Sequence, residues 1–148
     1  MPNKKDIYDS NIKKKPTLNK KDKIMCAKYR KGHFEGVIDV MDRLTKKIRP
    51  KMIFMGEKDY QQLYLVKKFI KKKYKSQIIS CKTIRDKNKL ALSSRNLLLK
   101  KKDQFNAGRI AQNLIFLKKK LKKQKNINIF IDNKKKELKE LFDISIVY

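Results

Sequence analysis

The chain has 148 residues, with 42 lysines and arginines against 14 aspartates and glutamates, so its formal net charge is +28. This length suffices for one modest folded domain, and no apolar run approaches the roughly 20 residues that cross a bilayer, which excludes a membrane-spanning protein and favours the cytoplasm. Cys26 and Cys81 lack the paired spacing of a metal or redox site, so we expect buried, reduced thiols.

Lysine supplies most of the positive charge, since only six of the basic residues are arginine. Proteins that read nucleic acid favour arginine for bidentate and stacking contacts. Glycine and alanine are also scarce, with four copies each, as an AT-rich genome would produce. We therefore hypothesise that drift towards lysine codons, at positions on solvated faces, explains most of the charge. The alternative reading is a small basic nucleic-acid-binding protein.

The first half of the chain predicts a strand, helix and strand in succession. Residues 1–23 are polar and predict irregular structure, and residues 24–26 predict a short strand or loop edge. The apolar spacing then predicts a helix from Phe34 that Pro50 closes, a strand at Met52–Met55 buried on both faces, a helix over Asp59–Lys73 with Asp59 as its cap, and a strand at Gln77–Cys81.

The second half predicts a loop followed by helices. Residues 82–96 show no sustained period, which is typical of a loop. Apolar residues from Ala107 to Leu121 recur at helical spacing, a shorter helix is predicted over Lys134–Leu141, and alternation at Ile144, Ile146 and Tyr148 predicts a final strand. The domain boundary is predicted near residues 97–102.

The corner after the first strand is the candidate ligand site. Gly56 permits a sharp turn, and the start of the next helix together with Lys58 favours an anion. Two parallel strands joined by a helix place Gly56 and the residues after Cys81 at the same sheet edge. The sequence thus predicts a phosphate-bearing substrate. Two strands alone leave apolar faces uncovered, so the sheet is expected to be incomplete.

Three segments in order, residues 30–37, 52–62 and 90–96, resemble the pantothenate synthetase family of the nucleotidylyl-transferase superfamily, over about residues 6–96. The resemblance implies an α/β fold: a partial Rossmann-like (HUP-type) parallel sheet with flanking helices over residues 1–97, followed by part of a small α+β domain over residues 98–148. The family's first half, with its histidine signature, has no counterpart here, so the chain resembles a fragment with little or no turnover alone. His33, the single histidine, is assigned to capping or packing.

The resemblance also implies a reaction, ATP-dependent condensation of pantoate with β-alanine through a pantoyl adenylate, with ATP and Mg²⁺ as cofactors. Lys58 is the catalytic candidate, because an ammonium can neutralise the departing pyrophosphate. Gln62 matches the pantoate-binding glutamine, and Gln61 is expected to be structural. The residues matched to ATP contacts are Gly56, Glu57, Lys58, Asp59, Ile84, Leu92, Ser93, Ser94 and Arg95.

Asp59 is expected to meet Mg²⁺ only indirectly, and no metal site made by the protein alone is predicted. The family implies a homodimer, with no membrane and no specific nucleic-acid partner.

The chain departs from the family's pattern at two places. Lys31 replaces a proline, and Asn88 and Lys89 replace an aspartate and a glycine. The loss of that glycine is expected to affect the turn before the loop that contains Ser93 and Ser94. A catalytically dead remnant of the family is a third reading. We call residues 56–59 the Lys58 turn and residues 92–95 the serine loop. The ligase reading requires the Lys58 turn and the serine loop to meet at one end of the sheet.

Overall fold

A computed structural model describes residues 3–8 and 16–146 of the protein. In these residues, short 3₁₀ turns form at Lys20–Asp22, Glu57–Asp59 and Ser94–Leu98. The other elements, in chain order, are α1 (Lys4–Ile7), α2 (Cys26–Tyr29), α3 (His33–Ile48), β1 (Met52–Gly56), α4 (Tyr60–Lys73), β2 (Gln77–Cys81), α5 (Lys101–Leu121) and α6 (Ile127–Phe142). Within the described ranges, no helix has the length and apolar character needed to cross a membrane.

The chain divides into two compact units, Met1–Lys82 and Thr83–Tyr148, which we call unit 1 and unit 2. Unit 1 contains the parallel sheet with its helices, and unit 2 contains α5 and α6, which pack against each other. The serine-bearing segment belongs to unit 2, whereas the sequence assigns it to the first domain. The boundary after Leu97 stays a prediction about the domains of the family.

Unit 1 is organised around α4. Strands β1 and β2 pair in parallel, with Met52 opposite Gln77 and Gly56 opposite Cys81. Helix α4 connects the two strands and packs on both, and α3 packs on α4. The predicted parallel strand, helix and strand unit is therefore confirmed, and β2 has the predicted bounds.

The core of unit 1 lies on two sides of α4. One cluster of buried residues joins α4 to α3 and the segment before it, and consists of Ala27, Phe34, Ile38 and Leu65. The other joins α4 to the sheet and consists of Leu63, Val66, Ile70 and Ile78. The predicted apolar positions of the α4 helix, Leu63, Val66 and Ile70, are thus buried, and Phe69 packs against both clusters. Burial of one such side chain contributes about 1.5–3 kcal/mol.

The prediction that β1 is buried on both faces is wrong. Ile53 and Met55 face the core, but Met52 is 53% and Phe54 64% exposed. The reason is that α4 packs on one face of the two strands, and among the described residues nothing buries these two side chains on the other. The expectation that two strands leave apolar surface uncovered is confirmed.

Several expectations about flanking segments also need correction. Residues 24–26 form no strand, because Met25 lies in a turn and Cys26 begins α2. Residues 3–8 and 16–23 include α1 and a 3₁₀ turn rather than being wholly irregular, and the prediction for residues 1–2 and 9–15 lies outside the described residues. The prediction that both thiols are buried is wrong: Cys26 is half-buried and Cys81 is exposed.

The C-terminal elements differ from prediction at both ends of α6. The helix begins at Ile127 instead of Lys134, because the Asn126 side chain accepts a hydrogen bond from the Ile129 N–H at 3.3 Å and caps it. The predicted strand is absent over residues 144–146, where no partner strand pairs with them, and Tyr148 lies outside the described residues. Asp143, with φ of 48°, ends α6 in a left-handed conformation.

Candidate functional site

The carboxyl ends of the two strands lie side by side. Gly56 ends β1 and is paired in register with Cys81, which ends β2. The chain therefore leaves both strands at the same sheet edge, as predicted. In open α/β sheets this edge is where ligands bind.

The turn that follows β1 presents charged side chains to solvent. Glu57, Lys58 and Asp59 form one turn of 3₁₀ helix, and all three are exposed, as is Gly56. The α-helix then begins at Tyr60. The Lys58 ammonium has no ion pair or hydrogen bond to another described residue, so it is available to an anionic ligand.

The prediction that the Asp59 side chain caps α4 is wrong. Asp59 occupies the N-cap position, but its side chain accepts no cap hydrogen bond. Its backbone, with φ −95° and ψ 61°, departs from the extended conformation that lets an N-cap side chain reach back to the helix N–H groups. The carboxylate is left exposed beside Lys58, and within the part of the chain that is described it has no hydrogen-bond partner.

The two glutamines of α4 have different surroundings. Gln62 is half-buried in the first turn of the helix, three residues after Asp59. The Gln61 side chain bonds to the backbone of residues 22–27 at three points, which confirms its predicted structural role. No residue pattern indicated which backbone groups it would meet.

In unit 2, a hydrogen bond brings two of the predicted nucleotide contacts together. The Leu92 N–H donates to the Ile84 carbonyl at 3.0 Å, and one residue further inward Arg85 and Ala91 form an antiparallel bridge. Ile84 and Leu92 are 69% and 54% exposed. Segments 83–85 and 91–93 are therefore neighbours, with apolar side chains open to a ligand.

The serine loop is held at both ends while its middle stays exposed. The Ser93 hydroxyl accepts from the Arg95 backbone N–H at 3.3 Å and starts the 3₁₀ turn. The Asn96 amide donates to the Ala91 carbonyl at 3.0 Å, and the Gln104 amide of α5 donates to the Asn96 and Leu99 carbonyls at 3.1 and 3.0 Å. Ser94 and Arg95 remain exposed.

Two of these anchors were missed from the sequence. Asn96 belongs to the motif only as its last residue, and Gln104 lies outside it. Their amide side chains hold the loop by donating hydrogen bonds to backbone carbonyls. Amide side chains at many other surface positions do the same. The pattern of residue types alone therefore does not distinguish them.

No group of three or more histidine, cysteine, aspartate or glutamate side chains in the described residues is arranged to hold a metal ion. Glu57 and Asp59 supply two exposed carboxylates in one turn. Mg²⁺ commonly binds through one or two carboxylates together with substrate phosphates and water. These two carboxylates would suit a magnesium ion that arrives on a nucleotide.

The family model described as Pantoate-beta-alanine ligase matches residues 1–147. The chain belongs to the pantoate-beta-alanine ligase family. Pantothenate synthetase of Azobacteroides pseudotrichonymphae genomovar. CFP2 is 35% identical over 95% of the chain, and the matched part is 49% of that relative. The chain thus spans about half the length of this ligase.

Two solved ligase structures resemble the chain. The pantothenate synthetase of Thermus thermophilus has a TM-score of 0.86 at 23% identity, covering 97% of this chain and 53% of the other, which confirms the α/β fold class. The Francisella tularensis pantoate-beta-alanine ligase, solved in complex with beta-gamma ATP and beta-alanine, has a TM-score of 0.65 at 37% identity, covering 73% of this chain and 42% of that one.

Proposed function

We propose that this chain forms the part of a pantoate-beta-alanine ligase that binds the phosphates of ATP and the pantoate. The main support is the family match, joined with the exposed Gly56–Asp59 turn at the carboxyl edge of the sheet. The nucleic-acid-binding alternative has no comparable support.

The reaction has two steps. A carboxylate oxygen of pantoate attacks the α-phosphorus of ATP, the bond from that phosphorus to the bridging oxygen breaks, and pyrophosphate leaves. The β-alanine amine then attacks the acyl carbon of the pantoyl adenylate, loses a proton and displaces AMP. Both steps depend on close alignment of reactants and on neutralised phosphate charge more than on covalent help from the protein.

Lys58 is proposed to neutralise charge on the departing pyrophosphate, because its ammonium is exposed and, among the described residues, unpaired at this edge. Ser93, Ser94 and Arg95 are proposed to bind phosphate oxygens, for which hydroxyls and a guanidinium are well suited. The remaining nucleotide contacts are proposed at Gly56, Glu57, Asp59, Ile84 and Leu92.

Gln62 is proposed to bind pantoate, since an amide both donates to and accepts from a hydroxy acid. Mg²⁺ is proposed to arrive on the nucleotide, with Asp59 as an indirect partner, and to stabilise phosphate charge. We further propose a cytoplasmic homodimer with no nucleic-acid partner. Since the chain spans 49% of its Azobacteroides relative, we expect Mg·ATP binding to be weak and turnover slight; robust pantothenate formation would contradict this.

Replacing Lys58 tests the proposal. We expect Lys58→Ala to weaken Mg·ATP binding about tenfold or more, because a charge-assisted contact contributes roughly 1.5–3 kcal/mol. Isothermal titration calorimetry at two salt concentrations measures the affinity.

The matched control is Lys71→Ala, which removes the same charge from an exposed position at the other end of α4. Its affinity should stay within about twofold of wild type, since screening weakens charges beyond about 10 Å. Equal losses in the two variants would mean that ATP binds the lysine-rich surface at large.

A further inference from the structure

The backbone of residues 22–27 packs beside the first turn of α4 in a conformation that needs external support. Met25 has φ of 50° and ψ of −130°, a region that glycine adopts far more readily than other residues. Its side chain is 45% exposed and thus contributes little burial to hold this shape. A cavity of about 220 Å³ lies between this segment and α4.

The Gln61 side chain supplies that support from α4. Its amide nitrogen donates to the Ile24 carbonyl at 2.7 Å and lies 3.4 Å from the Asp22 carbonyl. Its amide oxygen accepts from the Ala27 N–H at 3.3 Å, which is shared with the Ile24 carbonyl. One side chain therefore bonds to the backbone on both sides of Met25.

A second bond joins the same segment to α4 two turns further along. Lys68 donates to both carboxylate oxygens of the buried Asp22, at 2.9 and 2.7 Å. The segment is thus attached to α4 at two positions along the helix axis. Only the Gln61 attachment lies in the turn that follows Lys58 and contains Gln62.

We propose that Gln61 is a positioning residue for the ligand site. It touches no substrate, but it fixes the first turn of α4 against residues 22–27. It thereby sets the direction of the Gln62 side chain, which is about 100° from Gln61 around the helix axis, and of the Lys58 turn just before it. This inference rests on the proposed function, since the groups that it orients are the proposed phosphate and pantoate ligands.

The first test replaces the amide with a side chain of similar length that makes no such bonds. Gln61→Met should weaken Mg·ATP and pantoate binding about tenfold, while hydrogen exchange of the Val66 and Ile70 amides stays as in wild type. Gln77→Met, at the exposed start of β2, is the matched control and should bind both ligands as wild type does.

Lys68→Met separates positioning from general anchoring, because it removes the attachment that is remote from the site. Its affinity for Mg·ATP should stay within about threefold of wild type. A loss as large as that of Gln61→Met would overturn the inference, since any loosening of the segment would then suffice.

The second test uses protonation as a switch. In Gln61→Glu, an ionised carboxylate would face the Asp22 and Ile24 carbonyls, whereas the protonated acid donates and accepts as the amide does. Affinity relative to wild type at the same pH should therefore recover as pH falls through the pKa of the introduced carboxyl, whose usual value is about 4.3. The other ionisable groups around the cavity, Lys21, Asp22, Tyr60 and Tyr64, are present in both proteins, as is Lys68, so they cancel in the ratio.

The outcomes distinguish this inference from the proposed function. Unchanged affinity in Gln61→Met, or a Gln61→Glu ratio that does not depend on pH, would overturn the positioning role and leave the ligand site intact. Absence of Mg·ATP and pantoate binding by the wild type would overturn both.

Discussion

Lys89 adopts a left-handed backbone conformation, with φ of 69°, in the turn that precedes the serine loop. The turn is closed by the Asp86 N–H donating to the Leu90 carbonyl and by the Leu90 N–H donating to the Asp86 carboxylate, both at 2.9 Å. The family resemblance implies a glycine at this position. The turn therefore forms without glycine. A residue that has a side chain costs roughly 1–2 kcal/mol in this left-handed conformation.

We expect Lys89→Gly to stabilise this turn. The relief of the left-handed strain exceeds the extra backbone entropy that glycine loses on folding, for a net gain of roughly 0.5–1 kcal/mol. Hydrogen exchange of the Leu90 amide should slow about two- to fivefold. Lys87→Gly is the control, because φ there is not positive, and it should speed exchange. Slower exchange in both variants would refute the role of strain.

Asp42, Lys73 and Tyr74 form a polar cluster that links α3 to the end of α4. Lys73 donates to both oxygens of Asp42 at 2.8 and 2.7 Å, and the Tyr74 hydroxyl donates to the same carboxylate at 2.5 Å. The hydrogen bond to Asp42 raises the pKa of Lys73 above its usual 10.5. Burial, and then the hydrogen bond to Asp42, raises the pKa of Tyr74 above its usual 10.0.

These two shifts predict a loss of stability at alkaline pH. Because both pKa values are higher in the folded state, their contribution is fully present below about pH 10 and is lost as pH rises through the folded values. Between about pH 9 and 11.5, urea unfolding of wild type should show a larger fall in free energy than unfolding of Asp42→Asn, by no more than about 1 kcal/mol because Lys73 is half-exposed. Asp132→Asn, on the exposed side of α6, should behave as wild type; a fall of equal size in all three proteins would contradict the assignment.

Among the elements, α5 shows most directly how a helix supports the serine loop. Gly108 is buried where Asn88 packs on the helix, and a Cβ there would lie 2.9 Å from the Asn88 Cβ and 3.2 Å from its carbonyl oxygen. Gln112, one turn later, donates to the same carbonyl at 3.1 Å. The absent side chain of Gly108 thus allows the turn before the loop to rest on α5.

Two glycine-to-alanine substitutions should have opposite effects. Gly108→Ala should destabilise unit 2 by about 1 kcal/mol net, because overpacking outweighs the gain in helix propensity. Gly36→Ala, in α3, meets nothing within 4 Å and should stabilise unit 1 by about 0.5 kcal/mol. Urea unfolding, followed by hydrogen exchange in each unit, measures both. Stabilisation by Gly108→Ala would show that the loop does not rest on the helix.

The elements that the sequence predicted best are those whose apolar residues face one side. Helices α3 and α4 follow from the spacing of their apolar residues and strand β2 follows from a short apolar run. Their core faces are filled by residues such as Phe34, Ile70 and Ile78. The predictions failed where tertiary context decides. The exposed face of β1 depends on which layers cover it, the start of α6 depends on a single Asn126 hydrogen bond, and a final strand needs a partner to pair with.

At the scale of the whole molecule, the predicted site residues lie in two separate segments. In unit 1, the Lys58 turn and Gln62 follow directly after the end of β1. In unit 2, a backbone hydrogen bond joins Leu92 to Ile84, and Ser94 and Arg95 are exposed. Sequence motifs located these segments because the motifs include the ligand groups themselves. The amides that support the serine loop, Asn96 and Gln104, were not predicted, since amide side chains in such positions have no distinctive pattern. Gln61 was predicted to be structural, but the backbone groups that it bonds were not.

The central proposal is that ATP phosphates contact the Lys58 turn of unit 1 and the serine loop of unit 2. Titration of the ¹⁵N-labelled chain with Mn·ATP tests it, because the paramagnetic ion broadens amide signals near the bound phosphates. We predict that amides of Glu57–Asp59 and of Ser93–Arg95 broaden together at the lowest Mn·ATP concentrations, while the Gln77 amide at the other end of β2 does not. Broadening of only one of the two segments, or broadening spread evenly over the lysine-rich helices, would contradict the claim.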